Sequence, residues 1–541
     1  MADWTSRGEN RLPLATKYLY LGVKNRGLQA LLSLLFYFIV YPVVEYFRDP
    51  KRLRRFPAFK SLAGVTNLVF MREAALGFRS KTLYEKHKKH PVLRTGPNSL
   101  SYGTVDAIKD IYGHGTKCLK GEFYETLAGT HFHLADVVDK ADHARKRKVL
   151  SAAYALKNLE NWEHKVADKT ERFIVGCDKA CTQPLKEGLR PDPADLAFDY
   201  RAWTNYFTLD AIADIGLSEK LGFLDQGHDL VRAERMDGSI HEVNYRACLH
   251  STAVAQSITV WAGDWYKFNH RLTSLLSPTF RRWWNLNKGW DGIVYHRATQ
   301  RLKRYQVGEK LEDFFQALME DKNGTPNGLD WGEIVAEVSI MMNAGSDTTA
   351  IAMNNVMYWL LKNPRCMEKL REEIDAVLEP EEMVAPYDKV KHLPYLRACL
   401  DESLRIVPPT TFGLPRRTPP EGAYVLGDFI PGGTTISISA YIVHRDPNIF
   451  PEPESYIPER WLGDKGKELQ PYFVSFSAGA RGCIGRNISY LEQTVLLASV
   501  LHRYNFALPF PEWEPERREA MNLMPSPMPL KVWRRNLKQE G

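Results

Sequence analysis

The spacing of apolar residues along the chain predicts a protein built mainly from helices. Apolar positions recur with the helical period over residues 138–180, 195–220, 290–320, 331–362, 364–378, 392–406 and 483–502. Strand-like alternation of apolar and polar residues is confined to 423–426 and 434–441, with glycine-containing turns at 427–428 and 431–433. We therefore expect one mainly α domain with a small β-sheet region over residues 61–541.

The N-terminal part predicts a membrane anchor. Residues 28–47 form an apolar stretch whose only charged residue is Glu45. At about 1.5 Å per residue, a helix of this length spans a bilayer core of roughly 30 Å. We interpret residues 1–27 as an N-terminal tail, 28–47 as a transmembrane helix and 48–60 as a basic linker. The alternatives are a helix buried in the domain and a cleaved signal peptide, although the segment starts late for the latter.

The amino-acid composition excludes some classes of protein and gives no support for a nucleic-acid partner. The chain has 541 residues, of which 44% are hydrophobic and 25% charged, so a disordered or low-complexity chain is excluded. A net charge of +7 without a nucleic-acid motif gives no reason to expect a nucleic-acid partner. Seven cysteines are too few and too scattered for a disulfide framework, which favours a reducing compartment.

One cysteine lies in a glycine-rich motif near the C-terminus. The motif consists of Phe476, Gly479, Arg481, Cys483 and Gly485. Its glycines let the backbone approach a flat ligand, and apolar periodicity that resumes after the cysteine predicts a helix N-terminus there. Free N–H groups at such a terminus favour a thiolate, which can ligate heme iron, while the arginine is placed to meet an anionic propionate. The alternative is a buried free cysteine in a turn.

This motif resembles that of the cytochrome P-450 family of heme-thiolate monooxygenases, and the resemblance runs from about residue 60 to the C-terminus. It implies the mainly α cytochrome P-450 fold and heme b as the cofactor. It also implies Cys483 as the axial thiolate and metal ligand, with the rest of the motif in contact with the heme. The anchor segment resembles that of the microsomal branch, which implies the endoplasmic reticulum membrane, a single pass and a cytosolic catalytic domain.

A second motif lies on the predicted helix 331–362. It runs from Ala344 to Thr349 and contains Gly345, which costs about 1 kcal/mol relative to alanine inside a helix and therefore needs a reason. The absence of a side chain there opens a groove in which dioxygen could lie. Thr348 can hydrogen-bond to the preceding turn. In the family, an acid–alcohol pair delivers protons at this place, which implies Asp347 and Thr348 as catalytic residues. Taken alone, the pattern also fits an exposed polar helix.

Two further sets of residues complete the expected site. Glu402 and Arg405 are three positions apart on a predicted helix and can pair, and the resemblance adds Arg460 to form a buried structural triad that holds the cysteine loop. His143 and Arg147 share a helix face, and the resemblance implies that both contact a heme propionate.

Arg416 is expected to be the next propionate ligand. The neighbouring charges Arg145 and Lys148 are interpreted as part of a basic surface for an acidic reductase, or simply as a solvated helix face.

The resemblance implies insertion of one oxygen atom from O2 into a small apolar organic substrate. Electrons would come from NADPH through a separate flavoprotein reductase, since the chain has no dinucleotide-binding fingerprint. Substrate-facing segments are expected at 112–132, 225–268, 340–344 and 410–413.

The sequence looks most like filamentous-fungal enzymes of the benzoate 4-hydroxylase type or of secondary metabolism. A catabolic benzoate-like hydroxylase, a heme-thiolate isomerase or dehydratase, and a non-catalytic scaffold stay open as alternatives.

Overall fold

The structure is a computed structural model that describes residues 28, 29, 32, 35–154 and 162–537. Its helices are α1 Tyr41–Arg48, α2 Leu68–Leu76, α3 Arg79–His87, α4 Ala107–Tyr112, α5 Glu122–Leu127, α6 Lys140–Ala153, α7 Glu163–Ala180, α8 Tyr200–Leu217, α9 Phe223–Gln226, α10 Tyr245–Thr259, α11 Tyr266–Leu276, α12 Pro278–Gln306, α13 Phe314–Met319, α14 Trp331–Ala344, α15 Asp347–Lys362, α16 Pro364–Asp375, α17 Tyr387–Val390, α18 Pro394–Ile406, α19 Ala440–Val443, α20 Gly463–Leu469 and α21 Arg486–Arg503.

The strands are short and, over the described residues, fall into five small sheets. They are β1 Val92–Gly96, β2 Ser99–Tyr102, β3 Phe198–Asp199, β4 Leu230–Glu234, β5 Ile240–Asn244, β6 Arg416–Arg417, β7 Ala423–Val425, β8 Asp428–Ile430, β9 Thr435–Ile438, β10 Tyr504–Ala507, β11 Arg517–Glu519, β12 Leu523–Pro525 and β13 Pro529–Arg534. The largest sheet has the order β1-β2-β9-β6, in which only the β2–β9 pair is parallel. The predicted mainly helical fold with a small β region is confirmed.

Several predicted elements differ in extent from the observed ones. The predicted helix 331–362 is interrupted at Gly345 and Ser346, where α14 ends and α15 begins. The predicted helix 290–320 comprises the end of α12, a loop and the short α13. The predicted strand 434–441 is too long, because β9 ends at Ile438 and α19 follows. Strand β1 was not predicted because all five of its residues are buried, which removes the alternation.

The centre of the molecule is formed by helices that are buried almost all round. Helix α15 packs against α8, α18 and α21, and nearly every residue of α8 is buried. A helix without a solvent-facing side belongs to the core of a large domain. This core fixes the positions of α15 and α21, which flank the cysteine motif and the acid–alcohol pair.

The N-terminal anchor prediction is not confirmed. In the part of the chain that the structure describes, no helix combines the length and the apolar character needed to cross a membrane. The predicted segment 28–47 lies partly outside the described residues, namely at 30, 31, 33 and 34, as does the tail 1–27. Its described end is a π-helical turn, Phe36–Val40, that runs into α1 and exposes its apolar side chains.

Candidate active site

Cys483 lies in a loop that is held closed by its own backbone. The N–H of Cys483 donates to the carbonyl of Phe476 at 2.9 Å. Helix α21 begins at Arg486 with Gly485 as its N-cap, so the apolar pattern, which predicted the helix start beside the cysteine, was wrong by a few residues. Cys483 is exposed to solvent, and the surrounding loop still removes part of the water from its sulfur. This desolvation raises the pKa of the thiol, while the N–H groups of Gly485 and Arg486 and the charge of Arg147 oppose the rise.

Gly479 is required by the shape of this loop. Its φ of +66° lies in the left-handed region, and a Cβ added there would stand 2.1 Å from the carbonyl oxygen of Tyr112. The loop therefore packs directly on the end of α4. This close backbone contact explains why the second position of the motif is a glycine.

A cluster of basic side chains converges beside the cysteine loop. Arg481 donates to the carbonyls of Val137 and Val138 at 2.7 and 3.1 Å, and Arg147 donates to the carbonyl of Gly482 at 2.8 Å. Arg416 donates to the hydroxyl of Tyr124 at 3.0 Å. We call the following residues the basic cluster: Lys120, His143, Arg147, Arg416 and Arg481.

The basic cluster brings several positively charged side chains close together. Burial and the charge of Arg416 lower the pKa of Arg481 to about 10, and burial together with Arg416 and Arg481 holds the pKa of Lys120 well below its usual value. Burial, Arg481 and Lys120 lower the pKa of His143 to about 4. Within the described residues, no cluster member is in ion-pair contact with a carboxylate.

A ligand with two carboxylates would relieve this repulsion, so the donor set fits heme b, with its propionates on the cluster and Cys483 at the iron. His143, Arg147, Arg416 and Arg481 are thus brought together as the sequence predicted. Lys120 was missed, because a single lysine outside any motif gives no signal in the sequence.

The predicted structural triad is present and buried. Glu402 accepts from Nε and Nη2 of Arg405, both at 2.9 Å, and from Nε of Arg460 at 3.0 Å. The same carboxylate also accepts from the indole N–H of Trp461 at 2.8 Å and from the backbone of Ile457 at 3.0 Å. A buried carboxylate with this many donors is held in one orientation.

His444 connects this triad to the cysteine loop. Its Nδ1 lies 3.1 Å from the carbonyl of Arg405, and its Nε2 accepts from the backbone N–H of Val474 at 2.9 Å. The hydroxyl of Ser475 donates to a carbonyl of α18 at 2.8 Å. Burial and Arg405 lower the pKa of His444 to about 3, so it is neutral and can accept from Val474. Sequence reasoning missed His444, which belongs to no recognised motif.

The acid–alcohol pair begins helix α15. The Thr348 hydroxyl donates to the carbonyl of Ala344 at 2.9 Å, as the motif predicted. The groove expected at Gly345 is not what the packing shows, because the space that a Cβ would take is filled by the side chain of Ile212 on α8, 2.7 Å away. The break between α14 and α15 therefore lies where Gly345 packs directly against α8.

Asp347 is buried and surrounded by donors. Its Oδ1 accepts from Arg201 at 2.8 Å and faces Nε2 of His250 at 3.0 Å, and its Oδ2 accepts from Asn522 at 3.2 Å. Burial alone would raise the pKa of this carboxyl, but His250 and Arg201 hold it far below its usual value. Asp347 is therefore ionised. Neither His250 nor Arg201 was expected from the sequence.

Three of the four predicted substrate-facing segments meet through aromatic rings. The ring centroids of Phe123 and Trp261 are 5.0 Å apart, and Phe412 lies 5.8 Å from Phe123 and 6.3 Å from Trp261. The guanidinium of Arg79 lies over Trp261 and Phe412 and is paired with Glu519 at 2.7 Å. These contacts form an apolar, aromatic surface. The ion pair beside it, between Arg79 and Glu519, balances its own charge.

Removal of one triad member should abolish heme incorporation. In the variant Arg405→Ala the buried carboxylate of Glu402 loses two charged donors, which costs on the order of 3–5 kcal/mol and frees the cysteine loop. We expect purified Arg405→Ala to contain almost no heme in a pyridine hemochromogen assay. The control Lys467→Ala removes an exposed ion pair with Asp464 and should keep full heme content. Normal heme content in Arg405→Ala would contradict the assigned role.

Known proteins resemble the chain over most of its length. The sequence profile of the family described as Cytochrome P450 matches residues 58–532. A protein named benzoate 4-monooxygenase bphA from Aspergillus niger is 28% identical over 476 residues, covering 87% of this chain and 90% of the relative. Cytochrome P450 monooxygenase cicH from Emericella nidulans is 29% identical, covering 94% and 99%. Cytochrome P450 monooxygenase AMT3 from Alternaria alternata is 30% identical, covering 84% and 88%.

These matches agree with the fold and with the site. Cytochrome P450 monooxygenases are oxidoreductases that carry heme b on a cysteine thiolate. They need O2 and a redox partner reductase and act on organic substrates. The match covers every residue of the basic cluster, the triad and the cysteine loop. The chain belongs to the cytochrome P450 family of monooxygenases.

Proposed function

We propose that this protein is a membrane-anchored heme-thiolate monooxygenase that inserts one oxygen atom from O2 into an apolar organic substrate of fungal secondary metabolism. The observation that carries the proposal is the intact pair of Asp347 and Thr348 at the start of α15, because isomerase and dehydratase branches need no proton delivery to dioxygen. The aromatic contacts among the substrate-facing segments support an apolar substrate.

Each residue of the site has a defined task in this proposal. Cys483 would hold the heme iron, and the basic cluster would bind and orient the propionates through charge-assisted hydrogen bonds. When bound, the heme supplies the activation of O2. The hydroxyl of Thr348 holds a proton at Oγ1, and Asp347 replaces that proton. Electrons arrive from NADPH through a flavoprotein reductase.

The choice between a neutral substrate and an aromatic acid depends on Arg79. This basic residue contacts Trp261 and Phe412, but its charge is already balanced by Glu519. A substrate carboxylate would have to compete with Glu519 for the guanidinium of Arg79. Displaced from Arg79, the carboxylate of Glu519 would be a buried charge without a partner, which is costly. This favours a neutral substrate. The name of the relative benzoate 4-monooxygenase keeps an aromatic acid as the second candidate.

A turnover experiment tests the proposed class of reaction and of substrate. Holoenzyme, reductase and NADPH are incubated in air with benzoate, with its uncharged analogue benzamide and with a panel of neutral polyketide and terpenoid scaffolds. We expect products that contain one added oxygen, derived from 18O2, with neutral compounds preferred over benzoate. Product formation without O2 and NADPH would instead establish an isomerase or dehydratase. Preference for benzoate over benzamide would establish the second candidate.

Replacement of Thr348 by alanine should uncouple NADPH oxidation from product formation. The variant lacks the hydroxyl that donates to Ala344 and cannot hold a proton at this place. We expect product per NADPH to fall about tenfold or more, with a matching rise in peroxide, because a positioned proton donor is lost. Thr348→Ser keeps the hydroxyl and is the control. Unchanged coupling in Thr348→Ala would exclude this residue from proton delivery.

The membrane part of the proposal concerns residues 28–47. We propose that they anchor the protein in the endoplasmic reticulum membrane with the catalytic domain in the cytosol. The side chains of Phe36, Phe38 and Ile39 are about half exposed (57%, 46% and 56%), which is unusual for neighbouring large apolar residues in contact with water alone. The basic residues of 48–60 fit an anionic cytosolic membrane surface.

Flotation with phospholipid vesicles tests this anchor. The full chain should float with the vesicles, and a variant that lacks residues 1–47 should stay in the soluble fraction. A variant that lacks only residues 1–27 keeps the apolar segment and should still float. Flotation of the 1–47 deletion to the same extent as the full chain would show that the segment is not the anchor.

A further inference from the structure

Asp347 is in contact with a histidine that has no assigned role. Nε2 of His250 on α10 lies 3.0 Å from Oδ1 of Asp347. About a quarter of the His250 side chain (27%) is accessible to water, compared with 2% for Asp347. The other donors at this carboxylate are Arg201, Asn205 and Asn522. Of these four donors only an imidazole both accepts and releases a proton near neutral pH.

The charged groups on the elements around α10 have partners of their own or are exposed. Helix α10 packs against α2, α11, α12, β5 and the segment Val260–Trp265. The paired groups are Arg246 with Asp229, Glu73 with Lys60, Asp291 with Asn287, Arg297 with Glu219, and His296 with Glu234. The exposed ones include Arg72, Glu242, Asp264, Lys267, Arg271, Arg281, Arg282 and Lys288, and His241 on β5 is half-buried. Asp347 and Arg201 are thus the charged groups whose contacts bear on His250.

We propose that His250 is the residue through which Asp347 receives protons from water. The inference rests on the proposed function and deepens it by naming the proton entry of the same site. His250 does not touch the reacting atoms. It acts through Asp347, to which it passes protons, and is therefore a positioning residue for the reaction. Arg201 keeps the carboxylate ionised between transfers.

The transfer balances without any oxidant or reductant. His250 with its proton on Nε2 takes a second proton from water at Nδ1 and gives the Nε2 proton to Oδ1 of Asp347, so that one N–H bond forms, another breaks and one O–H bond forms. The ring is left neutral with its proton on Nδ1, and exchange with water returns the ring to the form with its proton on Nε2. Asp347 passes its proton on and returns to the carboxylate, to which Arg201 stays bonded. Each cycle moves one proton from water to the acid–alcohol pair.

A substrate-free experiment tests this route in the full-length holoenzyme with reductase. Release of H2O2 consumes one NADPH per O2, whereas reduction of O2 to water consumes two and depends on further proton delivery. The ratio of H2O2 released to NADPH oxidised is measured at about pH 6 and pH 8, the range in which an imidazole changes charge. His250→Gln keeps a hydrogen-bond donor for Asp347 but cannot relay a proton.

We expect a wild-type ratio that is well below one at pH 6 and rises at pH 8. In His250→Gln the ratio should be at least about threefold higher at pH 6 and independent of pH, because the variant has no imidazole to exchange protons with water. His270→Gln is the matched control, since His270 on α11 packs on the ring of Trp284 at 4.2 Å and should behave like the wild type. His250→Asn replaces His250→Gln if the latter does not fold.

A second measurement needs no turnover. The infrared difference spectrum between pH 6 and pH 8 should contain imidazole bands that are absent in His250→Gln and altered in Asp347→Asn. A His250→Gln ratio equal to the wild type at both pH values, or imidazole bands unchanged in Asp347→Asn, would overturn the role of His250. A wild-type protein that oxidises no NADPH would contradict the proposed function, and the infrared comparison would still decide on His250.

Discussion

The position of the cysteine loop depends on one buried carboxylate. Glu402 accepts hydrogen bonds from Arg405, Arg460 and Trp461 in the interior of the domain. His444 contacts the carbonyl of Arg405 and accepts from the N–H of Val474, which lies in the segment that leads to Cys483. Charges in such a place are costly unless all their hydrogen bonds are made. The completeness of this network therefore fixes the geometry of the loop rather than adding much to stability.

The basic cluster and Asp347 differ in how their charges are balanced by the protein. The basic cluster gathers positive charge without carboxylate partners in the described structure, so it is complete only with an anionic ligand. Asp347 is the reverse, a single carboxylate that several donors of the protein already satisfy. The first arrangement suits permanent binding of a dianionic cofactor. The second suits a group that must stay ionised and exchange protons through a neighbour.

Much of the site could be predicted because its residues lie in local patterns. The spacing of Glu402 and Arg405 allows a pair on one helix face, and the glycines around Cys483 mark a tight loop. The resemblance was needed to add Arg460, which is distant in sequence. His444, Lys120 and His250 could not be found, because each is a single residue brought to the site by long-range packing. Strand β1 escaped prediction for a related reason, since tertiary burial removes its alternation.

The most direct test of this account is the carbon-monoxide difference spectrum of the reduced full-length protein. Wild-type protein should show the strongly red-shifted Soret band of a thiolate-ligated heme. Cys483→Ser should lose this band, whereas Cys181→Ser, which changes a free cysteine at the end of α7, should keep it. Absence of the band in folded wild-type protein, or its persistence in Cys483→Ser, would contradict the assignment of Cys483 as the iron ligand.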